Sequence, residues 1–176
     1  SGYTPKTQGK VLEIFKRAYR TGWDEVCRRF ENVEAGGPET TYAHAHLMDQ
    51  VVRLIHESAL SSVYPAANPT TGEQMAVIAT GGYGRGELAP FSDIDLMFLL
   101  PYKLTPHSEQ VVEYTLYSLW DLGLKVGHAT RSIEETIRLA GDDLTIRTSL
   151  LDARWLWGNQ ALFREFQARC PEALVV

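Results

Sequence analysis

The apolar positions of this chain change their period twice along its length. Over the first third they recur at helical spacing. Val11, Leu12, Ile14, Phe15, Ala18, Tyr19, Val26 and Phe30 predict one amphipathic helix, ended by Gly36-Gly37-Pro38. A second helix is predicted over Thr40 to Ser62, with Ala43, Leu47, Val51, Leu54 and Ile55 on its inner face. After a polar loop from Pro65 to Gln74 the pattern becomes continuous. Met75-Ala76-Val77-Ile78-Ala79-Thr80 and Asp93-Ile94-Asp95-Leu96-Met97-Phe98-Leu99-Leu100 read as two short buried strands, the second closed by Pro101 to Pro106. His107 to Leu122 returns to helical spacing, and Leu124 to Thr130 predicts a third strand. The remainder reads as trailing helices, with Ser132 and Glu135 forming a capping box and Asp142 or Asp143 capping the next helix. Trp155, Trp157, Phe163 and Phe166 fall in this last part and read as core or as a packing surface. The order predicts an α/β fold: a small mixed sheet flanked by helices, with N- and C-terminal helical extensions.

Chemistry enters between the first two strands, at Gly81-Gly82-Tyr83-Gly84-Arg85-Gly86-Glu87-Leu88-Ala89-Pro90-Phe91-Ser92-Asp93-Ile94-Asp95. Gly81 and Gly82 stand where a strand ends, and without Cβ atoms their backbone N–H groups can approach a ligand closely. A short helix opening at Tyr83 and running to Leu88 would favour an anion there. Asp93 and Asp95 stand at i and i+2 of the predicted second strand, so both side chains leave one face, roughly 7 Å apart along the chain. Two such carboxylates suit a hard divalent cation, because Mg²⁺ takes one or two protein carboxylates and fills its other positions with water and phosphate oxygens. Each half alone is a common structural pattern, a turn or a solvated strand edge. The two together, with Arg85 between them, point to nucleotide, phosphoryl chemistry and metal. Arg85 is a candidate phosphate clamp, with a salt bridge to Glu87 or Asp93 as its alternative.

Composition narrows the class of partner. At 176 residues and 44% hydrophobic content the chain can bury a core and falls in the single-domain range. A formal net charge of −5 disfavours broad binding to duplex nucleic acid, which calls for a basic surface, and a protein acceptor suits the chain better than DNA or RNA. Cys27 and Cys170 form neither a metal-ligand spacing nor a disulfide framework. With no spanning apolar run and no signal peptide, a cytoplasmic protein with no membrane partner is expected. His44, His46 and His56 lack a carboxylate at a familiar ligand spacing and read as exposed helix histidines. The Ser1-Gly2 start reads as a tag remnant or an excised fragment of a longer protein.

The string from Gly81 to Leu96 resembles the signature of the nucleotidyltransferase domain of the bacterial PII uridylyltransferase/uridylyl-removing enzymes, members of the DNA polymerase β-like superfamily. The likeness continues in Leu119-Trp120-Asp121-Leu122-Gly123-Leu124-Lys125-Val126-Gly127-His128, in Asp143-Leu144-Thr145-Ile146-Arg147 and in Leu151-Asp152-Ala153-Arg154. It covers the chain from about Thr41 to Gly158. The resemblance implies a single nucleotidyltransferase domain over 1–176, with N-terminal helices in 10–64, a catalytic core in 75–131 and trailing helices in 132–170.

It also implies a reaction: UTP with its triphosphate against Gly81 and Gly82, Mg²⁺ (or Mn²⁺) on Asp93 and Asp95, and a tyrosine hydroxyl of the PII signalling protein attacking the α-phosphate to expel pyrophosphate. Gly81, Gly82, Arg85 and Ser92 are then the nucleotide-binding residues. Many members of the superfamily carry a third carboxylate on a later strand, and Leu124 to Thr130 contains none. His128 shares a strand face with Leu124, Val126 and Thr130, and is the candidate base or nucleotide contact, with a structural histidine as its alternative. Asp121, Asp142, Asp143 and Asp152 are other acids able to complete a metal site. The HD hydrolase and ACT domains of the resembled enzymes have no counterpart in the sequence, so the expected activity is the transferring half alone. Two rival readings are another nucleotidyltransferase, adenylylating a protein or small molecule, and a non-catalytic nucleotide-sensing module.

Overall fold

The computed structural model describes residues 5–32, 34–66 and 70–170. Two long helices, α1 (Pro5–Glu31) and α2 (Gly37–Ser58), come first, and α2 runs on into a π-helical turn at Ala59–Val63. Then follow β1 (Ala76–Ala79), the one-turn α3 (Gly81–Gly84), β2 (Ile94–Leu100), α4 (Pro106–Asp121), β3 (Val126–Ser132), α5 (Ile133–Asp142), α6 (Leu144–Leu151), β4 (Arg154–Gly158) and α7 (Gln160–Arg169). The strands form one mixed sheet in the order β3-β2-β1-β4, the small α/β architecture that the sequence pattern predicts. None of the described helices is long and apolar enough to cross a membrane.

The described residues fall into two compact units. One holds 5–32, 34–65, 86–93 and 111–126; the other holds 66, 70–85, 94–110 and 127–170. In the sheet unit β1 is buried at every position, as a central strand of Ala, Val and Ile should be, and pairs antiparallel with β2 (Ala79 opposite Leu96) and with β4 (Ala79 opposite Arg154). Ala76, Ile78, Met97 and Leu99 form a core with Ile133, Ala140, Leu150, Leu162, Phe163 and Phe166 from α5, α6 and α7. The caps follow the sequence: Ser132 Oγ accepts from Glu135 N–H, and Asp143, not Asp142, caps α6 by accepting from Thr145 and Ile146 N–H.

In the helical unit α1 packs on α2. Pro38 sits in the first turn of α2 rather than closing the helix before it, because its fixed φ and missing N–H cost nothing there. The buried face of α2 also differs from expectation. Thr40, His44, Ala45, Met48, Val51, Val52, Ile55 and His56 are buried, whereas Ala43 and Leu54 are exposed. His44 and His56 are therefore core residues, not surface ones; only His46 is exposed. His44 is held by a 3.0 Å hydrogen bond between Nδ1 and the Leu88 carbonyl and by a ring contact with Trp23 at 4.4 Å.

Three further differences bear on the site. The helix expected from Tyr83 to Leu88 is instead a single turn beginning at Gly81, and Gly86, with φ +77°, leaves helical geometry soon after it. Asp93 precedes β2 rather than belonging to it, and β3 begins at Val126 and ends at Ser132, two residues later than expected at each end. The trailing segment is not purely helical, because β4 interrupts it and completes the sheet beside β1.

Candidate active site

The sheet unit builds its site where β1 ends and β2 begins. Thr80 N–H donates to the Asp95 carbonyl at 3.1 Å, which carries the β1–β2 ladder past the last paired residues and sets Gly81 beside Asp95. Gly81 has φ +58°, a left-handed conformation that a Cβ would strain. A Cβ built on it would lie 3.2 Å from Asp95 Oδ2. On the other side, β3 presents Gly127, whose missing Cβ would lie 2.5 Å from Asp95 Oδ1. The Asp95 carboxylate thus occupies a notch between two bare Cα atoms. It is the one exposed residue of an otherwise buried β2.

The notch opens into a cavity of about 190 Å³, lined among others by Thr80, Asp95, Gly127, His128, Arg131 and Ser149. That volume is below the ~300–1,000 Å³ of sites that enclose a whole drug-sized ligand, so it suits a metal ion with part of a substrate. His128 is exposed and shares the cavity with Asp95. On β3 the residue beside Asp95 is Gly127, so that strand offers no side chain at that place.

The α3 turn is braced from β4 and the segment before it. Arg154 donates through Nε to the Gly84 carbonyl at 3.0 Å and through Nη2 to the Tyr83 carbonyl at 3.1 Å, satisfying acceptors that a helix end leaves open. The same guanidinium lies 5.5 Å from the centre of the Tyr83 ring, and that ring is buried. Gly84 permits the approach, since a Cβ on it would overlap the Asp152 carbonyl oxygen. Arg85 forms an ion pair with Asp152, Nη1 to Oδ2 at 2.7 Å. Asp152 is therefore committed to this brace, and Asp143 to its helix cap.

In the sheet unit Gly81 thus stands beside Asp95, and His128 shares the cavity with Asp95, while Gly81, Gly82 and Arg85 lie in or beside the α3 turn outside the cavity lining. Asp93 and Ser92, both exposed, belong to the 86–93 segment of the helical unit, where Ser92 N–H donates to the Ala89 carbonyl at 3.1 Å. Gly127 and Arg154 escaped attention as site residues, although both fall inside the downstream strings, and Asp152, weighed as a metal-site acid, instead pairs with Arg85. Their contacts are long-range, 70 residues apart for Arg154 and Gly84, and no local pattern announces them. Among the described residues no group of three or more His, Cys, Asp or Glu side chains could hold a metal ion. At the cavity the carboxylate donor is Asp95, and a single carboxylate is compatible with Mg²⁺, an ion that needs few protein ligands and keeps positions for water and phosphate.

The sequence matches the model of the family described as Glutamate-ammonia ligase adenylyltransferase over residues 6–118. It is 55% identical over 162 residues to the bifunctional uridylyltransferase/uridylyl-removing enzyme of Rhodospirillum rubrum, covering 92% of this chain and 17% of that protein. Enzymes of the same description from Novosphingobium aromaticivorans and Azospirillum brasilense are 49% and 48% identical over 93% and 99% of this chain, and 18% of each relative. The chain therefore spans about a sixth of the length of the curated relatives it matches.

Proposed function

This chain belongs to the glutamate-ammonia ligase adenylyltransferase family of nucleotidyltransferases, and on that premise we propose that it transfers UMP from UTP to a tyrosine hydroxyl of a PII-type signalling protein, with release of pyrophosphate. The observation that carries this reading is the Asp95 carboxylate, held at the mouth of β2 against Gly81 and open to a cavity. A negative side chain in a notch of bare backbone is a place for a cation and the phosphates it neutralises. The choice of uridylyl rests on relatives that are 48–55% identical along nearly the whole chain.

Asp95, with Asp93 two residues earlier, would hold Mg²⁺, and the ion would supply charge neutralisation on the phosphoryl oxygens. The chain's own residues do the rest. Gly81, free of a side chain and left-handed, lets the backbone amides at the start of α3 come close to triphosphate oxygens. Arg154, locked on the Tyr83 and Gly84 carbonyls, holds that turn in shape before substrate arrives, which is how preorganised dipoles contribute most to phosphoryl transfer. His128 lines the cavity and would accept the proton of the attacking hydroxyl or contact the nucleotide.

A second reading, AMP transfer from ATP, is favoured by the description of the family model. That model ends at residue 118, before β3 brings Gly127 to Asp95, whereas the uridylyltransferase likeness runs through β3 and β4. Pyrophosphate release measured with UTP, ATP, CTP and GTP, each with Mg²⁺ and a PII acceptor, tests the proposal. UTP should be preferred; a preference for ATP would replace it with the second reading.

A further inference from the structure

We propose that Gly127 is a positioning residue for the transferase reaction, required bare because the Asp95 carboxylate fills the space its side chain would take. The inference rests on the reading of Asp95 as a metal ligand. It concerns a residue of β3 that neither the glycine turn nor the acid pair includes.

The geometry is specific. A Cβ at Gly127 would stand 2.5 Å from Asp95 Oδ1 but 3.7 Å from its Cγ. The overlap is therefore with the far end of a side chain and not with backbone. The Gly127 backbone is not left-handed, in contrast to that of Gly81, Gly123 and Gly158, so alanine meets no conformational penalty there. The element that gives way is the carboxylate, by turning about its own side-chain bonds. Its other oxygen, Oδ2, faces the bare Cα of Gly81, which leaves room for that turn.

A methyl group at 127 thus leaves the strand intact and moves the one exposed acid of β2. Mg²⁺ demands near-ideal octahedral geometry, with oxygens at about 2.0–2.1 Å. A carboxylate displaced by a fraction of an ångström binds such an ion poorly and leaves nucleotide contacts made by backbone amides unaffected. Glycine at 127 and glycine at 81 consequently serve different ends: Gly81 shapes a turn, and Gly127 keeps a place for a neighbour's side chain.

The test is calorimetric titration of UTP into the chain with and without Mn²⁺, for wild type, Gly127→Ala, Asp95→Asn and Gly141→Ala. Gly141 lies on α5 with open space around its Cα and is the control for adding a methyl group. Gly127→Ala should lose at least about tenfold of its Mn²⁺-dependent UTP affinity, keep its metal-free affinity within about twofold and melt near the wild-type midpoint. Asp95→Asn should lose the same metal-dependent part, and Gly141→Ala nothing. Metal-dependent binding retained in Gly127→Ala but lost in Asp95→Asn would overturn the role of Gly127 and leave the metal site standing. Retention in Asp95→Asn would remove the metal site and with it this inference. A Gly127→Ala chain that fails to fold would equally contradict it, since the carboxylate and not the backbone is expected to yield.

Discussion

Two titratable side chains, His56 of the helical unit and Asp95 of the sheet unit, stand on regular elements among apolar neighbours and meet opposite surroundings. His56 is wholly buried in α2, and neither ring nitrogen has a hydrogen-bond partner among the described residues. Desolvation alone pushes its pKa down to about 4. Asp95 is exposed on a strand whose other residues are buried, with two glycines cleared away from its oxygens. One group is kept neutral and dry, at a cost in stability; the other stands exposed at a cavity.

The largest effect expected from breaking this contrast is on activity. Asp95→Asn should lower transferase turnover on the order of 10³-fold, about 4 kcal/mol of transition-state stabilisation, while the thermal midpoint stays close to wild type. Steady-state kinetics beside a melting curve checks both halves, and an Asp95→Asn enzyme with near-normal turnover would place the chemistry elsewhere.

Next is the pH dependence of stability. As pH falls, the unfolded chain takes up a proton at His56 near the ordinary 6.5, whereas the folded chain does so only near 4. Stability is therefore unaffected above pH 6.5, declines between 6.5 and 4 as the unfolded state binds more protons, and levels off below. The window corresponds to up to about 3 kcal/mol. His44, lowered by burial and partly restored by its bond to Leu88, adds a contribution of the same sign. Urea midpoints measured from pH 7.5 to 4 should show the decline, and His56→Leu should flatten most of it and raise stability at pH 5. A His56→Leu variant with an unchanged slope would mean that the proton is taken up elsewhere.

The brace comes third. Arg154→Ala removes two charge-assisted hydrogen bonds and a cation–π contact from the α3 turn, and should cost about 2 kcal/mol of stability together with nucleotide affinity. Arg154→Lys should restore little, because an ammonium cannot reproduce the guanidinium fork. Full rescue by lysine would show that charge alone matters. Smallest is Arg85→Ala: its ion pair with Asp152 is half exposed on the arginine side, so stability should fall by no more than about 1 kcal/mol. A loss of nucleotide affinity well beyond that would give Arg85 a direct phosphate contact.

How legible all this is in the sequence depends on whether a feature is local. β1, the glycine turn and the buried run of β2 follow from contiguous residues and stand where the pattern predicts them. β4 does not. Arg154-Trp155-Leu156-Trp157-Gly158 is too short for a period to show, only Leu156 is buried, and its partner strand lies far back in the chain at Ala76–Ala79. The buried face of α2 was legible at Val51 and Ile55; the rest escaped because a core-facing helix buries a wide stripe, into which His44 and His56 fall beside Val52 and Met48. Gly127 reads as an unremarkable strand glycine until the carboxylate beside it is seen.

The central claim is most directly tested by intact-mass spectrometry of a PII-type acceptor after incubation with this chain, UTP and Mg²⁺, run beside the Asp95→Asn variant. The account predicts addition of one UMP per modified acceptor tyrosine by the wild-type chain and none by the variant. An acceptor left unmodified by the wild-type chain, or modified equally by both, would contradict it.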